Sequence, residues 1–207
     1  MGFFPLTYLA AGAAVVALVD VGTGARVALG IAWLYLGPPL LARLVLARFG
    51  TPTCTDAVAG DRAYRVWWLL TQIQMPFNRI GVLEELLRLV PGLYGTWLRL
   101  WGGRVSPFAF FARDVMVTER YLIEVGAGAV IGSYAGLVAH LVSVGGDGVA
   151  RLTVAPVVVE SGAVVGIRAG LGPGCRLAGG ETLPVGRLLP PFTTWSGGRK
   201  HARSRPA

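Results

Sequence analysis

The sequence predicts a mainly β protein: a left-handed parallel β-helix of three to four coils, preceded by a transmembrane helical hairpin and interfacial amphipathic helices. Three observations carry this. A six-residue period of aliphatic and small residues runs through the C-terminal half. Two apolar runs stand near the N-terminus. Between them, tryptophan, leucine and arginine recur at helical spacing.

The period is plainest where an aliphatic residue, often followed by glycine, is answered four places on by a small one. Val125-Gly126 leads to Ala129, Ile131-Gly132 to Ala135, Val159-Glu160 to Ala163, Val165-Gly166 to Ala169, and Leu171-Gly172 to Cys175. Leu137 and Leu177 continue the step. Upstream, Val105, Phe111 and Val117 keep the same spacing, with Ala109 and Val115 at the small position. Such a period fits neither an α-helix nor a flat strand. It suits a triangular solenoid in which each hexapeptide gives one short strand and one corner, about three to a coil. The aliphatic residue points into the core, the small one fits the tightest interior, and glycine permits a tight corner. Blocks 105–122, 125–142 and roughly 152–170 make three coils, and 171–187 a ragged fourth. An insertion, 143–150, breaks the register straight after His140. Loops that leave a rigid scaffold are where binding concentrates.

Hydrophobic residues make up 54% of the chain and charged residues only 14%, against ~25% charged in soluble domains, so part of the chain belongs in lipid. Residues 3–19 carry no charge before Asp20, and residues 27–46 carry only Arg43 near the end. Each approaches the ~20 apolar residues that span a bilayer. Met1-Gly2-Phe3 lacks the positive charge of a signal peptide, and the second apolar run points to a hairpin. Gly37-Pro38-Pro39 should bend or break the second helix, which leaves a re-entrant or interfacial hairpin as the alternative to two crossings. Arg48, Arg62 and Arg65 follow the second run, and Arg199, Lys200, Arg203 and Arg205 crowd the far end. The positive-inside rule then places both termini and the C-terminal half in the cytoplasm. Next, Leu83, Leu86, Leu87, Val90, Leu93, Tyr94, Trp97, Leu98 and Trp101 recur at helical spacing beside several arginines, an interfacial pattern that would equally serve packing on the next domain. The chain thus divides into a membrane hairpin (1–49), amphipathic interfacial helices (50–103), the β-helix (104–187) and a basic tail (188–207).

The net charge of +8 comes without a basic helix or aromatics interleaved with cations on a sheet, so nucleic acid is not the expected partner. Membrane lipid is. Cys54 and Cys175 stand in unlike contexts and read as free thiols in a reducing compartment. No metal-ligand spacing, P-loop, dinucleotide fingerprint or G-x-S-x-G elbow occurs.

The stretches 125–142 and 159–177 resemble the hexapeptide-repeat acyltransferases. The run from Pro76-Phe77-Asn78-Arg79 through Glu84-Glu85-Leu86-Leu87-Arg88 and Pro91-Gly92-Leu93-Tyr94 to Trp97-Leu98-Arg99-Leu100-Trp101-Gly102 resembles bacterial membrane-associated members, as does Pro190-Pro191-Phe192 with Trp195-Ser196-Gly197-Gly198. The resemblance implies a homotrimer at the bacterial inner membrane. It implies acyl transfer from a thioester, with acyl-CoA or acyl-carrier protein as co-substrate and no bound cofactor or metal, and a histidine base between subunits. Of the two histidines, His201 lies in a tail expected to be unstructured, so His140 is the base. Glu124 or Glu160 is the carboxylate expected to orient it. Arg168, Arg176 and Arg187 are expected to meet CoA phosphates or an acidic carrier. The competing reading is a non-catalytic membrane-bound β-helix scaffold.

Overall fold

The computed structural model describes residues 4–202. Met1, Gly2 and Phe3, which bear on the signal-peptide reading, and Arg203 and Arg205 of the basic tail lie outside them.

Helix α1 (Phe4–Leu18) and helix α2 (Thr23–Phe49) pack against one another. Tyr8 stacks on Trp33 with ring centroids 5.2 Å apart, Tyr8 Oη donates to the Trp33 carbonyl, and Trp33 Nε1 donates to the Tyr8 carbonyl at 3.3 Å. The polar tips of both rings are thus satisfied within the helix pair. Gly12 and Gly37 make room: a Cβ on either would overlap Trp33 or Tyr8. Contrary to the expected break, α2 runs through Pro38 and Pro39 as one helix. Both prolines are buried, so packing holds the helix where two N–H donors are missing. Among the described helices, α2 alone is long and apolar enough to cross a membrane. The 15 residues of α1 reach only ~22 Å, short of a ~30 Å hydrocarbon core.

Helices α3 (Arg62–Arg79), α4 (Val82–Arg88) and α5 (Leu93–Trp101) wedge between α2 and the β-helix. The packing foreseen for this segment is seen on one face, and apolar side chains stand exposed on another. Trp67, Leu70, Phe77, Trp97, Leu98 and Trp101 are buried, while Trp68, Leu69, Leu86, Leu89 and Val90 remain exposed. A buried polar knot fastens the wedge. Arg120, 1% exposed, donates to Glu84 at 2.7 Å, to Asn78 at 2.8 Å and to Gln74. Glu84 also receives Arg88 and the Tyr94 hydroxyl, each at 3.0 Å. Burial and the neighbouring carboxylate push the Tyr94 phenol far up, so it serves as a hydrogen-bond donor.

From Arg104 onward the strands stack in parallel on three faces, a parallel β-helix. One face stacks Arg104–Val105, Ile123–Val125, Val157–Val159, Arg176–Leu177 and Thr193–Ser196. The second stacks Phe110–Phe111, Val130–Ile131, Val164–Val165 and Thr182–Leu183. The third stacks Met116–Val117, Gly136–Leu137, Gly170–Leu171 and Leu188–Leu189. Of the foreseen small positions, Val115, Ala129, Ala135, Ala163, Ala169 and Cys175 are buried in the core, and Ala109, in the first turn, is only partly covered.

Four expectations need correcting. The glycines that follow the aliphatic residues do not make the corners. A Cβ on Gly126, Gly132 or Gly166 would come within 2.4–2.7 Å of backbone in the next turn, so these glycines permit close approach between turns. The corners take their left-handed residues elsewhere, for example Asp114, Tyr134, Arg168 and Gly186 at one edge. Second, the insertion is no loose loop. His140–Val144 and Ala150–Val154 form an antiparallel hairpin, and Cys54–Ala57, a strand not foreseen, pairs onto its outer edge. Third, Leu152 and Val154 therefore belong to the hairpin, and the repeat resumes only at Val157. Fourth, the tail is ordered over Thr193–Ala202: Thr193–Ser196 pairs with Arg199–Ala202, and Trp195 covers the end of the core. Gly132→Ala should lower stability by about 1–3 kcal/mol, because the Val165 carbonyl cannot retreat; urea denaturation measures it.

Candidate active site

His140 opens the inserted hairpin, at the edge of the third strand stack. Hydrogen bonds from two directions fix its backbone. Ala139 N–H donates to Thr118 Oγ1 at 3.3 Å, and Ala155 N–H donates to the Ala139 carbonyl at 3.0 Å, closing the hairpin base.

The carboxylate beside it is Glu119, not Glu124 or Glu160. Glu119 Oε1 lies 2.8 Å from His140 Nδ1, with the carboxylate only 2% exposed. The contact meets the distance but not the angle of a linear hydrogen bond. Trp67 Nε1 donates to the same oxygen at 3.1 Å, and the Thr118 hydroxyl donates to Glu119 Oε2. The Trp67 ring lies 5.2 Å from the imidazole, centroid to centroid. Burial alone would raise the Glu119 carboxyl. His140 at its side, with the Thr118 and Trp67 donors, outweighs burial and holds it below the ordinary value of 4.5.

The pair has a direction. Nδ1 is buried against Glu119, yet the His140 side chain keeps 29% exposure, so the open ring edge is the one bearing Nε2. A carboxylate at Nδ1 favours the proton there and leaves Nε2 as the acceptor. His140 lines a groove of about 390 Å³, with walls from Val138, Gly170, Pro173, Leu188 and Pro191. The groove is almost wholly apolar. A more polar cavity of about 300 Å³, lined by Asn78, Glu85, Arg88, Asp114 and Thr118, opens one turn of the β-helix toward the helices.

The other foreseen residues lie apart from His140. Glu124 pairs with Arg104, and Glu160 with Arg176, so neither carboxylate stands at His140. Arg168 and Arg187 occupy adjacent turns of the same β-helix edge, over Tyr134 and Trp195 respectively, and neither lines the groove. His201 sits on the terminal hairpin, against the Ser196 carbonyl. Among the described residues no group of three or more His, Cys, Asp or Glu side chains is placed to hold a metal.

Glu119, Thr118 and Trp67 were missed by sequence reasoning, although one signal was available. The register step from Val105 to Val125 is two residues longer than the step from Val159 to Leu177. The charged residues Glu119 and Arg120 fall in that longer stretch, where the chain leaves the repeat and turns to the helices.

Glu119→Gln tests the pair through stability alone. A depressed carboxyl contributes stability above the unfolded value that is lost as pH falls through the lower folded value. Urea titrations from pH 7 to pH 3 should show the wild type losing about 1–3 kcal/mol more than the variant. Parallel curves would contradict the pairing.

No protein-family model matches the chain, and no curated protein matches it. Among solved structures it is similar to a hexapeptide-repeat containing acetyltransferase from Vibrio cholerae, with 11% identity and TM-score 0.38 over 58% of this chain and 86% of that one. It is similar also to a maltose O-acetyltransferase from Clostridium difficile, with 12% identity and TM-score 0.36 over 81% and 86%. A third is an N-acyltransferase from Bacillus cereus in complex with dTDP and coenzyme A, with 14% identity and TM-score 0.27 over 50% and 72%. None of these likenesses is close enough to carry an argument about this chain.

Proposed function

We propose that the protein is a membrane-anchored acyltransferase on a left-handed β-helix, which moves an acyl group from a CoA or carrier-protein thioester to a hydroxyl or amine of a lipid-linked or envelope acceptor. The observation that supports this best is the buried Glu119–His140 pair at the mouth of an apolar groove. A buried carboxylate is costly to stability, and one that Trp67 and Thr118 hold against a half-exposed imidazole is the arrangement of an oriented catalytic base.

In this mechanism His140 Nε2 takes the proton of the acceptor hydroxyl or amine as its oxygen or nitrogen attacks the thioester carbonyl. Glu119 stabilises the imidazolium that forms. The tetrahedral adduct then collapses, the thiolate leaves, and the imidazolium returns the proton to sulfur. The groove beside Leu188 and Pro191 accommodates the acyl chain or the thioester arm. Because Arg168 and Arg187 lie outside the groove, their contribution to an anionic donor comes across a subunit boundary, in a homotrimer.

Anchoring falls to α1 and α2, with the β-helix on the cytoplasmic side of the bacterial inner membrane. There a lipid-linked acceptor is confined to the enzyme's own surface, which raises its effective concentration. The scaffold alternative keeps Glu119 as an acceptor for Trp67 and Thr118 but leaves the half-exposed imidazole beside the groove without a task. The test is to incubate the full chain in membranes with labelled acyl-CoA or acyl-carrier protein of several chain lengths and an envelope lipid extract. Label should pass into the lipid phase. Label that stays wholly on the donors, whatever the chain length, would remove this reading.

A further inference from the structure

A cavity of about 450 Å³ lies where α2 ends and α3 begins, away from His140's groove, lined by Arg48, Phe49, Arg62, Arg65, Val66 and Leu69. Its three guanidinium groups come from two helices that meet only in the folded chain. Among the described residues, none of the three makes an ion pair with a carboxylate. Arg62 donates to the Phe49 carbonyl at 3.1 Å, which ties the start of α3 to the end of α2, and Arg48 lies over the Phe49 ring. Three uncompensated cations in one concavity make a site for an anion with several acceptor oxygens.

The surroundings say what the anion is attached to. Leu36, Leu40 and Leu44, four residues apart on α2, form an exposed apolar stripe that leads to Arg48 and this cavity, and exposed Trp68 and Leu69 continue it on α3. The contact of Tyr8 with Trp33 and Gly37 brings the N-terminal end of α1 level with the C-terminal half of α2, so the protruding part of the helix pair stops short of the arginines. Acyl chains lying along Leu40 and Leu44 would bring a headgroup to Arg48, Arg62 and Arg65, the depth at which a phosphate sits.

We propose that this cavity binds the phosphate of an anionic membrane lipid, its acyl chains running along the α2 stripe. The proposal rests on the reading that α2 meets the bilayer but is independent of the chemistry at His140. It does place the lipid close to that chemistry, because Arg62, Arg65 and Val66 share α3 with Trp67, which touches both Glu119 and His140.

The experiment is native mass spectrometry of the full chain in a neutral detergent, titrated with four probes: phosphatidylglycerol, diacylglycerol, glycerol phosphate and inorganic phosphate. Phosphatidylglycerol should bind at one saturable site at least tenfold more tightly than diacylglycerol or either soluble phosphate. The variant R48Q/R62Q/R65Q should lose at least tenfold in that affinity. Arg79, Arg199 and Lys200, exposed but outside the cavity, should be replaceable by glutamine without loss, and His140→Ala should bind the lipid as the wild type does. Arg65→Gln alone, whose side chain has no hydrogen-bond partner among the described residues, should cost at least threefold and guards against misfolding of the triple variant. Equal affinity in wild type and triple variant overturns the proposal. So does equal weakening by the remote triple, which would mean diffuse surface charge, and so does soluble phosphate binding as tightly as the lipid, which would mean a soluble phosphoester ligand.

Discussion

His140→Ala should lower kcat for acyl transfer by about 10²–10⁴-fold, with KM for the donor nearly unchanged and the folded state intact. The split follows from the geometry. His140 stands at the groove while its Nδ1 edge lies against Glu119, so the side chain handles a proton at the mouth and does not build the groove's apolar walls. Glu119→Gln should reproduce much of the loss, since an amide neither stabilises the imidazolium nor enforces the tautomer. The two substitutions act on one unit, so the double variant should be little worse than His140→Ala alone. Steady-state kinetics on the four proteins checks this. Additive losses would mean that Glu119 acts on something other than His140.

Arg120→Met should have the largest effect on stability, about 3–5 kcal/mol, lowering Tm by ~6–20 °C for a chain of this size. Arg120 is 1% exposed and donates to Glu84, Gln74 and Asn78, so its loss strands acceptors from two elements in the interior. Phe77, Trp97 and Trp101 rings also lie within 5.8 Å of the guanidinium carbon and lose their cation. Replacing Glu84 by leucine in the same chain should deepen the loss, because Arg88 and the buried Tyr94 hydroxyl then lose their acceptor as well. Calorimetry in detergent measures both variants. A drop of less than 1 kcal/mol for Arg120→Met would show that the wedge is held by its aromatic packing alone.

The β-helix was legible because its signal repeats. Each of Val125, Ile131, Val159, Val165 and Leu171 shows the same spacing to a small partner, and each proved to be buried beside it. What repeats once cannot be averaged in this way. The strand Cys54–Ala57 has no apolar alternation of its own and is defined by the hairpin edge it joins, nearly a hundred residues away in sequence. His140 could be reached by elimination, there being two histidines to choose from. Its partner could not. Glu124 and Glu160 stand on regular strands and looked closer to the repeat, but a strand carboxylate faces the neighbouring turn, where Arg104 and Arg176 wait. Glu119 comes to His140 because the chain swerves out of register between two turns and because Trp67, from a helix fifty residues earlier, supplies a donor. Position along the sequence carries none of that. The unbroken α2 teaches a related lesson: Pro38 and Pro39 remove hydrogen bonds locally, and packing against other helices decides whether the helix survives.

The most direct test of the account is thiol release. Full-length protein in membranes would be supplied with acyl-CoA and acyl-carrier thioesters of graded chain length together with envelope lipid, and free thiol followed in wild type and His140→Ala side by side. The account predicts release that depends on the lipid acceptor, favours one class of donor and falls at least a hundredfold in the variant. Release at the same rate in both proteins, or in neither with any donor, would contradict it.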